Sequence, residues 1–272
     1  MEAQHRKVKM KTRETVTAIT RETDGSYLVH TRGWKYPADR VIVTTGSPAS
    51  EIAGSSADGL QFADELGIRS IPFAPALCPL KCSGAEFQKW SGVRADGRVT
   101  LFLDGVPVVS ESGELQLTSY GISGIPVFQV SRYAVRALEE GALVEAELDF
   151  FPDMEEDAFA ALLNHRMMSC TYKTQEELLI GLLPDKLIPL ALRNGRELDV
   201  IAHAVKHVRL KVKDSAGFER AQVSSGGVDL AEVSDQLESM RYPGLYFAGE
   251  VLDVDGACGG YNLHWAWVTG AI

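Results

Sequence analysis

The sequence is short of several things, and each absence narrows its function. No apolar run reaches the roughly 18 residues of a membrane helix, and the N-terminal stretch has no signal-peptide apolar core. Cysteine is scarce, with only Cys78, Cys82, Cys170 and Cys258 in 272 residues. With no secretory signal, free thiols and a cytoplasmic location are the expectation. Cys78 and Cys82 are spaced CxxxC but no second Cys or His pair follows at zinc spacing, so they are read as structural thiols. Basic charge is in deficit: 27 Lys and Arg face 37 Asp and Glu, a net charge of −10. Phosphate recognition needs clustered cations, so a nucleic-acid partner is not expected. The single basic cluster, His5 to Arg13, reads as a solvated chain segment. Repeats, low-complexity tracts and a G-x-G-x-x-G turn are also missing.

What is present is an ordinary globular composition, 45% hydrophobic and 24% charged, enough for one large core or two domains. Glu14 to Gly33 reads as a hairpin around an Asp-Gly turn. Val41, Ile42 and Val43 form a continuous apolar run suited to a strand buried on both faces. It ends in Thr44, Thr45 and Gly46, and in open α/β sheets ligands sit outside such carboxyl ends. Residues 57–67 have helical spacing, with Asp58 as a cap and Gly67 as a stop. Residues 71–130 alternate short strands and turns, as in a small antiparallel sheet or barrel. A helix ending at Gly141 and a strand through Glu145 follow. Residues 154–204 are helical between Gly and Pro breaks, and 208–230 return to strand. Leu245 to Ala248 reads as a last buried strand, and Tyr261 opens a terminal helix.

The layout is a long excursion between two buried strands. It predicts an α/β fold, α+β overall, in which a parent α/β domain is interrupted by an insertion of a small antiparallel sheet or barrel plus helices. The expected units are residues 1–70, the insertion 71–212, and 213–272.

The densest chemistry lies in the stretch from Gly249 to Trp267. Gly249 lets a ligand approach the backbone without meeting a Cβ. Glu250 places a carboxylate at a strand's carboxyl edge, able to accept from sugar or ribityl hydroxyls. Gly259 and Gly260 let the chain run close to a flat ligand. Tyr261 and Asn262 open a helix whose first N–H groups favour partial negative charge. Spacing alone leaves open an ordinary strand–loop–helix with turning glycines. The D-V-D-G run at Asp253 lacks the remaining acidic positions of a calcium loop.

Other constellations read as structural. His203 and His207 are spaced HxxxH on one helix face. No Glu follows His203 to make HExxH, so a packed or solvated face is expected and no metal site. The G-I-S-G run from Gly121 fails G-x-S-x-G, so it reads as a turn serving the barrel and no hydrolase is expected. Cys258 reads as a packing residue rather than a redox thiol, and Trp265 and Trp267 as core. No residue stands out as a general acid or base.

Several long motifs, in one order, carry a resemblance. GLYFAGEVLDVDGACGGYNLHWAW, DRVIVTTGSPASEIAGSSADGLQFADELG, PALCPLKC, GELQLTSYGISGIPVFQVS and AQVSSGGVDLAEVSDQLESMRYPGLYFAGE resemble the aminoacetone-oxidase/BaiN-like family, bacterial NAD(P)/FAD-dependent oxidoreductases. The resemblance implies a partial Rossmann-like FAD domain interrupted by a β-barrel-plus-helices insertion, hydride passing from a nicotinamide through flavin to an acceptor such as a conjugated ketone. It implies that Gly249 and Glu250 lie near the ribityl chain and pyrophosphate. Gly259, Gly260, Tyr261 and Asn262 would line the isoalloxazine, Thr45 and Gly46 would lie near the adenosine, and Gly226 and Gly227 would mark the return to the flavin domain. The sequence departs from the family at Ser47, which replaces the second glycine of A-T-G-G, at Ile125, and at His264. The family's opening glycine turn is absent. The expectation is therefore a piece of a larger flavoprotein that holds FAD weakly or not at all by itself, with an exposed sheet edge prone to self-association. The alternative is a non-catalytic remnant whose inserted domain folds alone.

Overall fold

A computed structural model describes residues 2–84 and 87–272. After a single helical turn, α1 (Glu2–His5), come three strands: β1 (Val16–Arg21), β2 (Tyr27–Thr31) and β3 (Lys35–Ala38). They form an antiparallel meander. Its first turn is set by Asp24, whose Oδ1 accepts from the Ser26 N–H at 2.9 Å, followed by Gly25 at φ 92°. Next are β4 (Val41–Val43), α2 (Asp58–Glu65), β5 (Ser70–Ala76), β6 (Leu80–Cys82), α3 (Phe87–Trp90), β7 (Arg94–Leu103), β8 (Val106–Leu117), β9 (Gly121–Ser123), α4 (Ile125–Glu139) and β10 (Val144–Asp149). A helical layer follows: α5 (Glu156–Ser169), α6 (Gln175–Leu179), α7 (Ile188–Ala191) and α8 (Leu198–Lys206). The chain closes with β11 (Val208–Ser215), β12 (Val223–Val228), β13 (Leu245–Phe247) and α9 (Tyr261–Thr269).

The expected mixed α/β architecture is present. β13 lies parallel to β4, pairing Leu245 with Val41 and Phe247 with Val43. Ile19, Tyr27, Val43, Phe62, Phe247 and Leu252 fill the core beneath this pair. Between these two strands the chain leaves for the insertion through β5 and returns through β12, which pair antiparallel. Beyond them, β10, β11, β6, β9, β8 and β7 close into an all-antiparallel barrel. Alternation builds its interior: Val99 and Leu101 of β7, Leu115 and Leu117 of β8, and Val144, Ala146 and Leu148 of β10 are all buried. α4 lays Val127, Val130 and Ala134 on the same core, and the helical layer adds Phe159, Leu163 and Ile201.

Where α8 meets the barrel, Lys206 is buried. Its Nζ donates to Asp149 Oδ2 at 2.8 Å and to the Phe151 carbonyl at 2.6 Å. Asp149 Oδ1 accepts from the Phe151 N–H at 2.8 Å.

Four local expectations are corrected. Ile42 is 64% exposed, so β4 is covered on one face only: nothing among the described residues packs on the side that its middle residue presents. Asp58 occupies the first position of α2 rather than its cap; the N-cap is Ala57, and Ser56 Oγ accepts from the Asp58 N–H at 3.3 Å. The segment Gly121–Ser123 is a barrel strand, not a turn, and Gly124 is the N-cap of α4. Trp265 packs inward, but Trp267 is 80% exposed. Among the described residues no helix is long and apolar enough to cross a membrane.

Candidate functional site

The site is built by the chain that leaves β13. A single 3-10 turn, Gly249–Val251, takes it off the strand, and a loop carries it to α9. Both backbone groups of Gly249 are tied to α9: its N–H donates to Thr269 Oγ1 at 2.9 Å, and its carbonyl accepts from Trp265 Nε1 at 3.2 Å. The loop is pinned from three sides. Asp253 Oδ1 accepts from the Gly226 N–H on β12 at 3.1 Å. On α4, Gln129 Oε1 accepts from the Cys258 N–H at 2.9 Å, and Arg132 Nη1 donates to the Asp255 carbonyl at 2.8 Å. From α9, Asn262 accepts from the Gly256 N–H at 2.7 Å and donates to the Gly256 carbonyl at 3.0 Å.

Gly227 is what lets β12 pass so close. A Cβ there would lie 2.5 Å from the Asp253 nitrogen and overlap the Leu252 backbone. Its φ of 143° also favours glycine.

These restraints hold open a cleft of about 330 Å³, within the size range of ligand pockets. Leu77, Val223, Val254 and Ala266 give it an apolar wall, and Gln222, Glu250, Cys258 and Asn262 supply polar groups. Glu250 is largely buried: its Oε1 accepts from the Ser224 N–H at 3.0 Å. Ser224 Oγ in turn meets Ser47 Oγ at 2.9 Å. Burial pushes the Glu250 carboxyl above the usual carboxylate range, and hydrogen bonds from Ser224 and Ser47 pull it partly back. At the other end of the cleft Gly260, at φ 97°, is the N-cap of α9, and no side chain caps it. The first amides of α9 therefore lack intrahelical partners, and with the helix dipole they favour an electronegative ligand edge.

The structure brings some of the expected residues together and leaves others apart. Glu250, Gly259, Gly260 and Asn262 line this cleft. Asn262 spends its amide on holding Gly256, so it shapes the loop. Gly249 lies behind the cleft wall, tied to α9. Tyr261 is 64% exposed and borders a separate hollow with His264 and Val268. Thr45 and Gly46 lie outside the cleft lining; the neighbouring Ser47 is their link to it, through Ser224. Thr45 Oγ1 is buried without a hydrogen-bond partner. Leu77, Gln222 and Val223 were not legible as site residues, because they come from the β5–β12 joint.

The HI0933-like protein Rossmann domain model matches residues 1–272. The chain belongs to this HI0933-like family. It is 40% identical over 284 residues to the 3-dehydro-bile acid delta(4,6)-reductase of Clostridium scindens, covering 99% of this chain and 69% of that protein. It is 28% identical to the ribosomal RNA dihydrouridine synthases of Haemophilus influenzae, covering 93% of this chain and 63% of that one, and of Escherichia coli, covering 96% and 66%. It thus spans about two thirds of the length of these curated relatives. The resemblance drawn from the sequence motifs to BaiN-like reductases is sustained by the bile-acid reductase match.

Within the HI0933-like fold, the loop from Asp253 to Cys258 separates the cleft from a second hollow of about 440 Å³. Ser225 Oγ and Arg132 Nε border it, both buried and without hydrogen-bond partners. Arg132 Nη1 stands 2.9 Å from Asp255 Oδ2, close enough to pair charges but not aligned as a hydrogen bond. The thiols divide by environment. Burial raises Cys78 to about 11 and Cys82 to about 12, which leaves both unreactive at neutral pH. Cys258 is partly exposed, with its Sγ 3.6 Å from Gln222 Oε1.

Proposed function

We propose that this chain supplies the flavin-ring side of an FAD-dependent reductase, one that saturates a carbon–carbon double bond conjugated to a carbonyl. One observation carries the reading: an uncapped helix N-terminus, a glycine floor and a buried carboxylate converge on one cleft. The fit to a flat ring is tested by the glycines. A Cβ built at Gly260 meets nothing within 4 Å, and at Gly259 the nearest atom is 3.9 Å away. Space is thus kept free above backbone that a side chain would fill.

When bound, the flavin supplies hydride transfer, with a reduced nicotinamide as donor. The amides of Tyr261 and Asn262 then hold the electronegative pyrimidine edge. Glu250 accepts hydrogen bonds from ribityl hydroxyls, and Thr45 and Gly46 serve the adenosine side. Leu77, Val223 and Ala266 exclude water from the ring. No residue is assigned as general acid or base.

The relatives support the reaction type, since a delta(4,6)-reductase and a dihydrouridine synthase both saturate a double bond. The net charge of −10 favours a small acceptor over RNA. With no G-x-G-x-x-G turn in these residues, affinity for the FAD pyrophosphate is low.

The test is flavin protection of Cys258. In a Cys170→Ser background, native thiol labelling reads Cys258 alone. We expect millimolar FAD to slow its labelling and to change flavin fluorescence, while adenosine has no effect. Labelling and fluorescence untouched at every FAD concentration would refute the assignment.

A further inference from the structure

The geometry points to a divalent transition-metal site on the helical layer, far in sequence from the cleft and independent of the flavin reading. Its ligands are Glu156, His203 and His207. His203 and His207 are four positions apart at the C-terminal end of α8, so their rings project on one face. They stack, with centroids 4.6 Å apart. The sequence pair lacked a third ligand; packing supplies it from the first residue of α5. Glu156 Oε1 stands 3.0 Å from His203 Nδ1 and 2.8 Å from His207 Nε2. The three ligand atoms all lie within 4.8 Å of one another.

A second observation separates this group from an incidental surface cluster. The other nitrogen of His207, Nδ1, faces Glu147 Oε2 at 3.2 Å. Glu147 is itself fixed by Arg209 Nε at 2.8 Å. A carboxylate behind the ligating imidazole is how metal-binding histidines are oriented and made more basic. Metal–ligand bonds of about 2.0–2.1 Å place tetrahedral ligand atoms roughly 3.3 Å apart. Ligand atoms that already lie within 4.8 Å of one another reach that spacing by side-chain shifts of no more than about 1.5 Å. His203 is 63% exposed, so an ion can enter and water can take the remaining position. Two imidazoles and one carboxylate suit zinc, copper or nickel rather than calcium or magnesium. A bound ion would clip α5 to α8, and through His207 and Glu147 to the barrel strand β10.

The experiment is calorimetric titration of the chelator-treated 272-residue chain with zinc chloride, paralleled by cobalt(II) absorption spectroscopy. We expect one saturable site per chain and visible bands of low-coordinate cobalt. Both should vanish in His203→Ala and His207→Ala, persist in His165→Ala, and weaken roughly 10- to 100-fold in Glu147→Gln. These ligands are largely solvent-facing, and unchanged circular dichroism of the variants verifies the fold. Absence of saturable binding in the wild-type chain, or binding that survives His203→Ala, overturns the assignment.

Discussion

Replacing Lys206 by Met should be among the most damaging single changes on this chain. The Met keeps most of the aliphatic stem but removes the ammonium that bonds Asp149 and the Phe151 carbonyl. The Lys206 and Asp149 side chains are only 8% and 17% exposed, so little water can take its place. Removing one partner of a buried ion pair leaves an uncompensated charge and costs about 3–5 kcal/mol. Asp149 keeps its bond from the Phe151 N–H, which favours the lower end. At roughly 2–4 °C per kcal/mol for domains of this size, the barrel transition should fall by at least about 6 °C. Urea unfolding followed by circular dichroism measures the loss. The double variant Lys206→Met/Asp149→Leu should recover most of it, because a matched apolar pair removes the stranded charge. A Lys206→Met variant within about 1 kcal/mol of wild type, or a double variant less stable than either single change, would refute the reasoning.

Other expectations follow from the same structure. The Glu250 carboxyl is raised, so its contribution to stability is fully present below about pH 4.5 and is lost as pH rises through its folded-state value. Glu250→Gln should therefore gain stability relative to wild type between acid and neutral pH in the absence of flavin, as read by thermal melts at several pH values; a flat difference would count against a buried carboxylate. Gly227→Ala pushes β12 against the Leu252–Asp253 backbone and should cost about 1–3 kcal/mol while loosening the Cys258 loop, seen as faster thiol labelling. Native labelling should reach Cys170 and Cys258 but leave Cys78 and Cys82 untouched until the chain unfolds. The exposed Ile42 on the two-stranded β4–β13 sheet should drive concentration-dependent self-association, and Ile42→Lys should suppress it in sedimentation velocity.

Where function could be read from sequence, it was read from local rules. Turn chemistry at Asp24–Gly25 gave the first hairpin, the succession of short strands and turns over 71–130 gave the barrel, and the glycines at 259 and 260 gave the loop into α9. Glu250 was legible because it follows an apolar strand directly. What escaped reading depends on long-range packing. Leu77 and Gln222 reach the cleft only because β5 and β12 pair, and nothing in either strand announces that partner. Glu156 meets His203 and His207 only because α5 packs on α8. Asn262 carried a ligand-facing expectation, yet hydrogen-bond satisfaction within its own loop claimed the amide first. Ile42 looked like a two-face buried strand residue because periodicity reports hydrophobicity, not which faces are covered.

The parallel pairing of Val41 with Leu245 also fixes an order of events in folding. If the intervening chain were still disordered, closing a loop of about 200 residues would cost roughly 4.7 kcal/mol of chain entropy. Once β5 and β12 have paired at the base of a folded barrel, the effective loop shrinks to about 45 residues, and the cost to roughly 3.4 kcal/mol. Within the barrel the β7–β8 and β8–β9 pairings are sequence-local and form fast, whereas β6–β11, which joins Cys82 to Val212, and the β4–β13 pair form later. The barrel thus acts as a splint for the cleft. A chain released from denaturant should regain the signal of the β7–β9 hairpins first and the Asp253–Cys258 loop last.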